Sequence, residues 1–416
     1  MIRHFSAHKE HKDGPSVLQG NTSPGRLRLL DEALLKGLLC FDRPSCSESE
    51  AGEGSLQQVT IVDLGLGDSP TTTIEFASAL KGAYSVSSIP EPSELKVVGV
   101  EVEPDRLDQC KCLLEDASRA GLLRNIPTID LRLGGMKFSL PLFDSEPRPR
   151  LIRAMNVLRS YNIPDAVEGL KVLFHQLSSR GGTLIEGSAE ARGLVVVAMS
   201  VIKPTPDASS HVDNDDDSIF DEMELGIDAV VFAVDFDALA SDPELSRMKS
   251  VPSWFNRHNH LPRLWRGFCD ASECSEEDVP RWAAPVRSFL FHWAEVCDQI
   301  EEEINSSNPN ASAEEILIQR VDEVSKCPRP DARLGVEPIS PASLRERFMR
   351  STEKLARQVR EGTDFSGTDS SWLNTSQTSR GILIWYPGKD LDSGRPVLVV
   401  PDADEYYWWE ERVGKK

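Results

Sequence analysis

The chain has 416 residues and a formal charge of −21, because 67 Asp and Glu residues outnumber 46 Lys and Arg residues. This length suits one large domain with additions, or two domains. The hydrophobic fraction of 39% indicates a soluble protein with a packed core, and no apolar run reaches the roughly 18–20 residues that span a bilayer. The negative charge disfavours a nucleic-acid partner, and we expect no membrane partner.

Two further features indicate the compartment. The N-terminal stretch "MIRHFSAHKEHKDGPS" mixes Lys, His and acids without an apolar core, so we do not expect a secretory signal. The eight cysteines form no CxxC pair, and a chain of this size needs no disulfide framework. We therefore predict free thiols, a reducing compartment and a cytoplasmic location.

Strands and helices alternate through the first half of the chain. The apolar spacing predicts helices at 23–39, 70–81, 104–121 and 164–182, and strands at 58–65, 95–103, 128–134, 149–158, 183–190, 193–203 and 228–239. Strands separated by helices of this length pair in parallel through right-handed crossovers, which predicts a three-layer α/β sandwich. The last two strands have no helix between them and predict an antiparallel pair that completes the sheet.

Composition divides the chain into segments. Residues 1–22 are polar and predict a disordered N-terminus. The α/β domain extends over 23–240 and contains an acidic insert at 204–225. A helical region follows at 241–362. Residues 363–416 predict a Ser/Thr/Gly linker and a small C-terminal β hairpin with an aromatic and acidic end.

The acidic insert has two interpretations. Asp213, Asp215, Asp217 and Glu224 match positions 1, 3, 5 and 12 of a calcium-binding loop. Ser218 occupies the turn position where such loops need glycine, and no good helix precedes the insert. A disordered acidic insert is therefore the favoured interpretation.

A glycine turn and an acid suggest a ligand site. Gly65 and Gly67 follow the first strand, and they let the backbone bend sharply and approach a ligand. In doubly wound sheets, ligands bind at the carboxyl ends of the strands. Glu101 lies at the carboxyl edge of the second strand, where a carboxylate can accept hydrogen bonds from both hydroxyls of a ribose. A plain turn and a helix-start acid are the alternatives, but together the features favour nucleoside binding.

The pattern departs from a dinucleotide fingerprint. Pro70 occupies the position of the third glycine, and Glu101 lies further along the chain than the usual spacing of about 20 residues. An NAD-binding oxidoreductase is therefore the less favoured interpretation.

The quoted motifs resemble those of class I S-adenosylmethionine-dependent methyltransferases. "VDLGLGDSP" resembles their glycine-rich first motif and "VVGVEVEPDRL" their acidic second motif, and "PRLIRAMNVLRSY" and "LSSRGGTLIEG" follow in the same order. More narrowly, the chain is similar to an uncharacterised bacterial-type methyltransferase-like group, through "PGRL", "DLGLGDSPTT", "RAMNVLR", "GGTLIEG" and "FNRHNHLP". The resemblance covers residues 23–270.

The resemblance implies a Rossmann-like, doubly wound sheet of seven strands, mostly parallel with an antiparallel edge strand. It also implies S-adenosyl-L-methionine as the cofactor. Asp63, Gly65 and Gly67 would contact the methionine part, and Glu101 would bind the ribose hydroxyls. In the family, the turn after the third strand carries an acid or amide that faces adenine. Gly134 and the glycine after it take that place here, so backbone groups would substitute.

Candidate substrate residues follow the fourth strand. Methyl transfer depends mainly on alignment of the reacting groups, and a base is needed only for a protonated acceptor. Asn156 and Tyr161 are the predicted catalytic residues of this segment. Arg153 and Arg159 could clamp an anionic acceptor or form ion pairs with the acid-rich surface.

Two further residues are candidate bases. Glu186, at the end of the fifth strand, is either a base or a buried structural carboxylate. His258, in "NRHNH", is a candidate catalytic base on a substrate lid. The two histidines of that segment have no third ligand at a suggestive spacing, so we expect no metal.

The favoured function is methyl transfer to a small or medium-sized acceptor, a small molecule or a protein. The first alternative is a catalytically inactive methyltransferase-like binding or scaffold protein. The acceptor atom and the oligomeric state leave no signal in the sequence.

Overall fold

The computed structural model describes residues 23–33, 58–86, 93–178, 182–190, 193–203, 227–236, 265, 279, 283–307, 341–361, 382–386 and 397–399. The strands are β1 Gln58–Leu64, β2 Glu94–Glu101, β3 Thr128–Leu133, β4 Leu151–Met155, β5 Gly182–Ala189, β6 Val195–Lys203, β7 Ile227–Val234, β8 Ile382–Tyr386 and β9 Val397–Val399. The helices are α1 Arg28–Ala33, α2 Thr71–Val86, α3 Pro104–Arg119, α4 Ile163–Gln176, α5 Ala284–Ser307 and α6 Pro341–Glu361.

The strands form one sheet in the order β3-β2-β1-β4-β5-β6-β7-β8-β9. Strands β1 to β5 pair with one another in parallel, and α2, α3 and α4 are crossover helices between them. The chain leaves β1 towards β2 and β3 and then returns to β4 on the other side of β1. The carboxyl ends of β1 and β4 therefore border the crevice in which ligands bind in such sheets.

Strands β6 to β9 are antiparallel to their neighbours. The predicted Rossmann-like α/β class and its seven strands are confirmed, but the sheet continues for two more strands. The predicted C-terminal hairpin supplies them, because β8 pairs with β7 and β9 pairs with β8. The apolar strand β8 thereby covers the edge of β7, which would otherwise offer unpaired backbone groups.

Helices cover both faces of the sheet. Ile61 of β1 packs in the cluster formed with α1 and α2, whereas Val62 packs on the opposite face with α4, α5 and α6. Burial on both faces explains why the strands are nearly continuous apolar runs. The C-terminal helices belong to the same core, since the ring of Trp293 in α5 lies 4.9 Å from the ring of Phe232 in β7.

Some predictions fall outside the described part of the chain. They concern the disordered N-terminus and the acidic insert with its calcium-loop alternative. The domain boundaries near residues 240 and 362 stay predictions. Among the helices that the structure describes, none is both long and apolar enough to cross a membrane.

Candidate functional site

The turn after β1 requires glycine. Gly65 has a φ of +84° and Gly67 a φ of +70°, which residues with a side chain rarely adopt. A Cβ atom on Gly65 would lie 2.8 Å from Val157 Cγ2, so the turn after β4 packs directly on this loop. The Gly65 N–H also donates to the Val100 carbonyl at 2.8 Å. These contacts hold the loop against the carboxyl ends of β2 and β4.

Glu101, the last residue of β2, joins this loop to the start of α3. The residue is 3% exposed. Its Oε2 accepts the Gly67 N–H at 2.9 Å, and its Oε1 accepts the N–H groups of Val102 and Glu103 at 3.0 and 3.1 Å. Three backbone donors thus replace the water that a buried carboxylate loses.

The glycine pair after β3 allows close packing. The Gly134 N–H donates to the Glu101 carbonyl at 3.0 Å, and a Cβ atom on Gly134 would lie 2.7 Å from the Pro141 ring. Gly135 has a φ of +82°, and its Cβ atom would lie 2.9 Å from Leu64 Cδ1. Neither position has space for a side chain, which explains why the acid or amide expected in this turn is missing.

Three exposed apolar side chains lie at the same corner of the sheet, and sequence reasoning missed them. Val102 follows Glu101, Leu133 pairs with Glu101 in register, and Met136 begins the short 3₁₀ turn after the glycine pair. Their exposures are 45%, 51% and 70% respectively. Exposed apolar groups beside a set of convergent polar groups are typical of a ligand surface.

The Asp63 carboxylate is held inside the protein. Arg153 Nε and Nη2 donate to Asp63 Oδ1 and Oδ2 at 2.9 and 2.7 Å, and the Thr73 hydroxyl donates to Oδ2 at 2.6 Å. Arg153 also donates to Asp31 of α1 at 2.5 Å and lies over the Phe76 ring. The predicted contact of Asp63 with a cofactor needs correction, because its carboxylate is engaged beneath α2.

The predicted role of Arg153 as a clamp for an anionic acceptor is wrong. The alternative prediction, an ion pair on the protein surface, is also wrong. The residue is 0% exposed. Burial lowers its pKa, but the charges of Asp31 and Asp63 more than offset this and raise the pKa above its usual value. Burial of Asp31, only partly offset by Arg153, raises the pKa of that carboxyl to about 7. The three residues form a buried ionic network that joins α1, β1 and β4.

Asn156 directly follows β4 and has a left-handed backbone with a φ of +62°, which asparagine tolerates better than most residues. Its Oδ1 accepts the Ala189 N–H at 3.0 Å, Arg159 Nη1 at 3.2 Å and the Ser188 hydroxyl at 3.3 Å. Three donors on one atom fix the orientation of the amide. Among the described residues, no acceptor contacts Nδ2, so this donor is available to a ligand.

Tyr161 lies in the segment between β4 and α4. Its ring packs 4.9 Å from the ring of Phe138. Burial, followed by the charge of Asp165, raises the pKa of its phenol. The phenol therefore stays protonated at neutral pH, and a catalytic role for Tyr161 stays a prediction.

Glu186 lies three residues before the end of β5 rather than at the end. It is 1% exposed, and within the described part of the chain neither carboxylate oxygen has a hydrogen-bond partner. Burial raises its pKa to about 8. The carboxyl is therefore mostly protonated at neutral pH and enclosed in the core, which argues against the candidate role as a base.

The segment ahead of α1 reaches the site, which sequence reasoning also missed. Arg26 Nη2 and Nε donate to the carbonyls of Ala189 and Glu190 at 3.0 and 3.2 Å. The Gly25 N–H donates to both carboxylate oxygens of Glu75 in α2, at 2.8 and 3.0 Å. In the sequence, only the motif "PGRL" marked this segment as part of the domain. Nothing in the motif or beside it indicates a contact with the end of β5.

The structure therefore brings most of the predicted residues together. Five of them lie at the carboxyl ends of adjacent strands: Gly65, Gly67, Glu101, Gly134 and Asn156. The predicted base in the "NRHNH" segment, His258, lies outside the described residues and stays a prediction. Over the described ranges, no group of three or more His, Cys, Asp or Glu residues could hold a metal ion.

Several solved structures are similar in fold. PKMT2 from Rickettsia typhi aligns at 17% identity over 40% of this chain and 25% of that chain, with a TM-score of 0.25. A SAM-dependent methyltransferase from Methanosarcina mazei aligns at 20% identity over 32% of this chain and 53% of that chain, with a TM-score of 0.22. A pericyclic reaction enzyme aligns at 18% identity over 34% of this chain and 30% of that chain, also with a TM-score of 0.22.

The chain thus spans between about a quarter and about half of the length of these three proteins. No protein-family model matches the chain, and no curated protein matches its sequence. Because one fold supports many chemistries, function has to be inferred from the side chains of the site.

Proposed function

We propose that the chain is an S-adenosylmethionine-dependent methyltransferase acting on a small or medium-sized acceptor. The observation that carries the proposal is the convergence of the Gly65–Gly67 loop and the Glu101 carboxylate with exposed apolar side chains. Adenosine offers a ribose diol and a flat, largely apolar base, and each has a matching surface here.

The residues fit the cofactor part by part. Glu101 would accept hydrogen bonds from the ribose hydroxyls. Val102, Leu133 and Met136 would contact adenine, with backbone groups near Gly134 at its polar edge. The backbone of the glycine loop, which is exposed at Gly65 and partly exposed at Gly67, would approach the methionine part. Asp63 would act as a positioning residue, through the ion pair that holds the strand before this loop.

S-adenosylmethionine, when bound, supplies a methyl group on a positively charged sulfur. The chain would contribute alignment of the acceptor and exclusion of water. Asn156 is suited to orient the acceptor, because its turn touches the glycine loop through Val157 and its Nδ2 is an available donor. Glu186 is enclosed and mostly protonated, so we assign it no proton transfer.

Isothermal titration calorimetry of the full chain with S-adenosylmethionine, S-adenosylhomocysteine and NAD tests the proposal. We expect micromolar binding of the two adenosyl ligands. Glu101→Gln should weaken this binding about 10- to 100-fold, because it removes charge-assisted hydrogen bonds worth about 1.5–3 kcal/mol. Glu103→Gln is the matched control, since that residue lies two positions away and is exposed.

Each other result has a defined meaning. Binding of NAD alone would replace methyl transfer with the oxidoreductase alternative. Binding of none of the three ligands by a folded chain would contradict the cofactor site and favour the scaffold alternative.

A further inference from the structure

Among the described residues, the positively charged Arg159 has no acidic partner within ion-pair distance. It is exposed, and within the described part of the chain it makes one hydrogen bond, from Nη1 to Asn156 Oδ1 at 3.2 Å. The chain has 67 acidic residues against 46 basic ones, so an ion pair would have been easy to provide. A guanidinium left without an acid at the carboxyl edge of a sheet is suited to bind an anionic ligand.

A second guanidinium lies close by. Ala189 donates its N–H to the same Asn156 Oδ1 that binds Arg159, while its carbonyl accepts Arg26 Nη2. Burial lowers the pKa of Arg26, the nearby charge of Arg159 lowers it further, and Glu190 acts in the opposite direction. The two like charges repel each other, and a bound anion would relieve that repulsion.

Asn156 completes the arrangement. Its left-handed backbone is an energetic cost that the fold tolerates at this one position after β4. The conformation directs Oδ1 to three donors, which leaves the two Nδ2 hydrogens for a ligand. Since Val157 packs on Gly65, this group of donors adjoins the glycine loop.

We propose that Arg159 and Asn156 Nδ2, with the positive charge of Arg26 nearby, bind an oxyanion of the methyl acceptor, a carboxylate or a phosphate. The assignment of this anion to the acceptor rests on the proposed methyltransferase function, whereas the anion site itself does not. The acceptor is then a small anionic molecule whose charged group anchors it beside the glycine loop. The bidentate fork of arginine suits both kinds of oxyanion.

Calorimetric titration of the full chain with inorganic phosphate and with succinate, at low ionic strength, tests the site directly. We expect the wild type to bind at least one of these probes with millimolar affinity. Arg159→Gln should weaken that binding by about 10-fold or more. Arg119→Gln, on α3 with a side chain 72% exposed, is the control and should bind as the wild type does.

Asn156→Asp separates the anion site from a folding defect. An aspartate tolerates the left-handed backbone and keeps an acceptor oxygen for the three donors. It also places a negative charge beside Arg159, which competes with the anion for this guanidinium. We therefore expect this variant to lose anion binding without a lower melting temperature.

The same samples are titrated with S-adenosylhomocysteine. Binding of that ligand without binding of either anion would overturn the anion site and leave the methyltransferase proposal intact. Anion binding that depends on Arg159, without binding of S-adenosylhomocysteine, would support the anion site and contradict the methyltransferase proposal. Anion binding that is unchanged in Arg159→Gln would overturn the site. Tighter binding of phosphate than of succinate would identify a phosphate-bearing acceptor.

Discussion

Arg153 and Asp63 are register partners on the adjacent strands β4 and β1, and a two-pronged ion pair joins their side chains at 2.9 and 2.7 Å. Asp31 binds the same guanidinium from α1. One buried cation thus connects the strand before the glycine loop, the strand before Asn156 and the helix after Arg26. The ion pair therefore links both halves of the proposed site.

We expect Arg153→Lys to lower the free energy of unfolding by about 3 kcal/mol, because a lysine keeps the charge but cannot bind two buried carboxylates with a planar fork. Urea denaturation at pH 7 measures the change. Arg119→Lys on the surface should change the same quantity by less than about 0.5 kcal/mol. A loss below about 1 kcal/mol for Arg153→Lys would show that the network is not an anchor.

Two glycines should respond to alanine in opposite directions. Gly65→Ala adds a Cβ atom 2.8 Å from Val157 in a left-handed backbone, so we expect a loss of at least about 1–2 kcal/mol of stability. It should also weaken S-adenosylhomocysteine binding. Gly82 lies in α2 with nothing within 4 Å of a new Cβ atom, and Gly82→Ala should add about 0.5–1 kcal/mol. Thermal denaturation compares the two, and equal shifts would contradict the steric argument.

The buried Glu186 carboxyl should make stability depend on pH. Its folded-state pKa of about 8 lies above the usual value of 4.5, so between these values the folded chain holds a proton that the unfolded chain has released. Stability therefore falls as pH rises through this window, by up to about 1.4 kcal/mol per pH unit.

Glu186→Gln removes that dependence, so its melting temperature should exceed that of the wild type at pH 8 and match it near pH 4.5. Glu168→Gln, at an exposed position of α4, should show no such difference. Equal effects of Glu186→Gln at both pH values would mean that the carboxyl is not protonated in the folded state.

Glu146 anchors the segment between β3 and β4. Its Oε1 accepts Arg132 Nη2 at 2.6 Å and Lys96 Nζ at 2.7 Å, and Arg132 foremost holds the pKa of this carboxyl well below its usual range. Glu146→Gln leaves Arg132 and Lys96 with Asp130 as their remaining acidic partner and should cost about 2 kcal/mol at pH 7, because hydrogen bonds to a charged group are lost.

The stabilising effect of Glu146 is present above about pH 4.5 and is lost as pH falls towards its folded-state pKa. The difference in urea-unfolding free energy between Glu146→Gln and wild type should therefore shrink below pH 4. Glu115→Gln, with a side chain 72% exposed on α3, should be neutral at both pH values. A difference that stays constant with pH would argue for a role other than ion pairing.

The sequence predicted the parallel half of the sheet well, because local patterns specify it. Apolar runs mark the buried strands, and Pro104 and the Gly65 turn mark where elements begin and end. The place of β8 beside β7 was not predictable, because about 150 residues of chain separate the two partners in the sequence.

The site was predictable where its residues end a strand, as at Glu101 and Asn156. The partners of Arg153 were not, because an arginine among apolar strand residues gives no sign of a carboxylate 90 or 122 positions away. Arg26 escaped prediction for the same reason. The glycine at 134 was visible, but the Pro141 ring that requires it was not.

The three amides around Glu101 determine how a nucleoside would enter. An ionised carboxylate offers about four lone-pair positions, and the N–H groups of Gly67, Val102 and Glu103 occupy three of them. A ribose diol brings two donors, so one amide has to leave. Gly67 is the one of the three that lies in the glycine turn, and its N–H would then face the ligand. Binding of a ribose would therefore exchange one hydrogen bond for another. The Gly67 N–H would leave the Glu101 carboxylate and donate to an acceptor on the ligand.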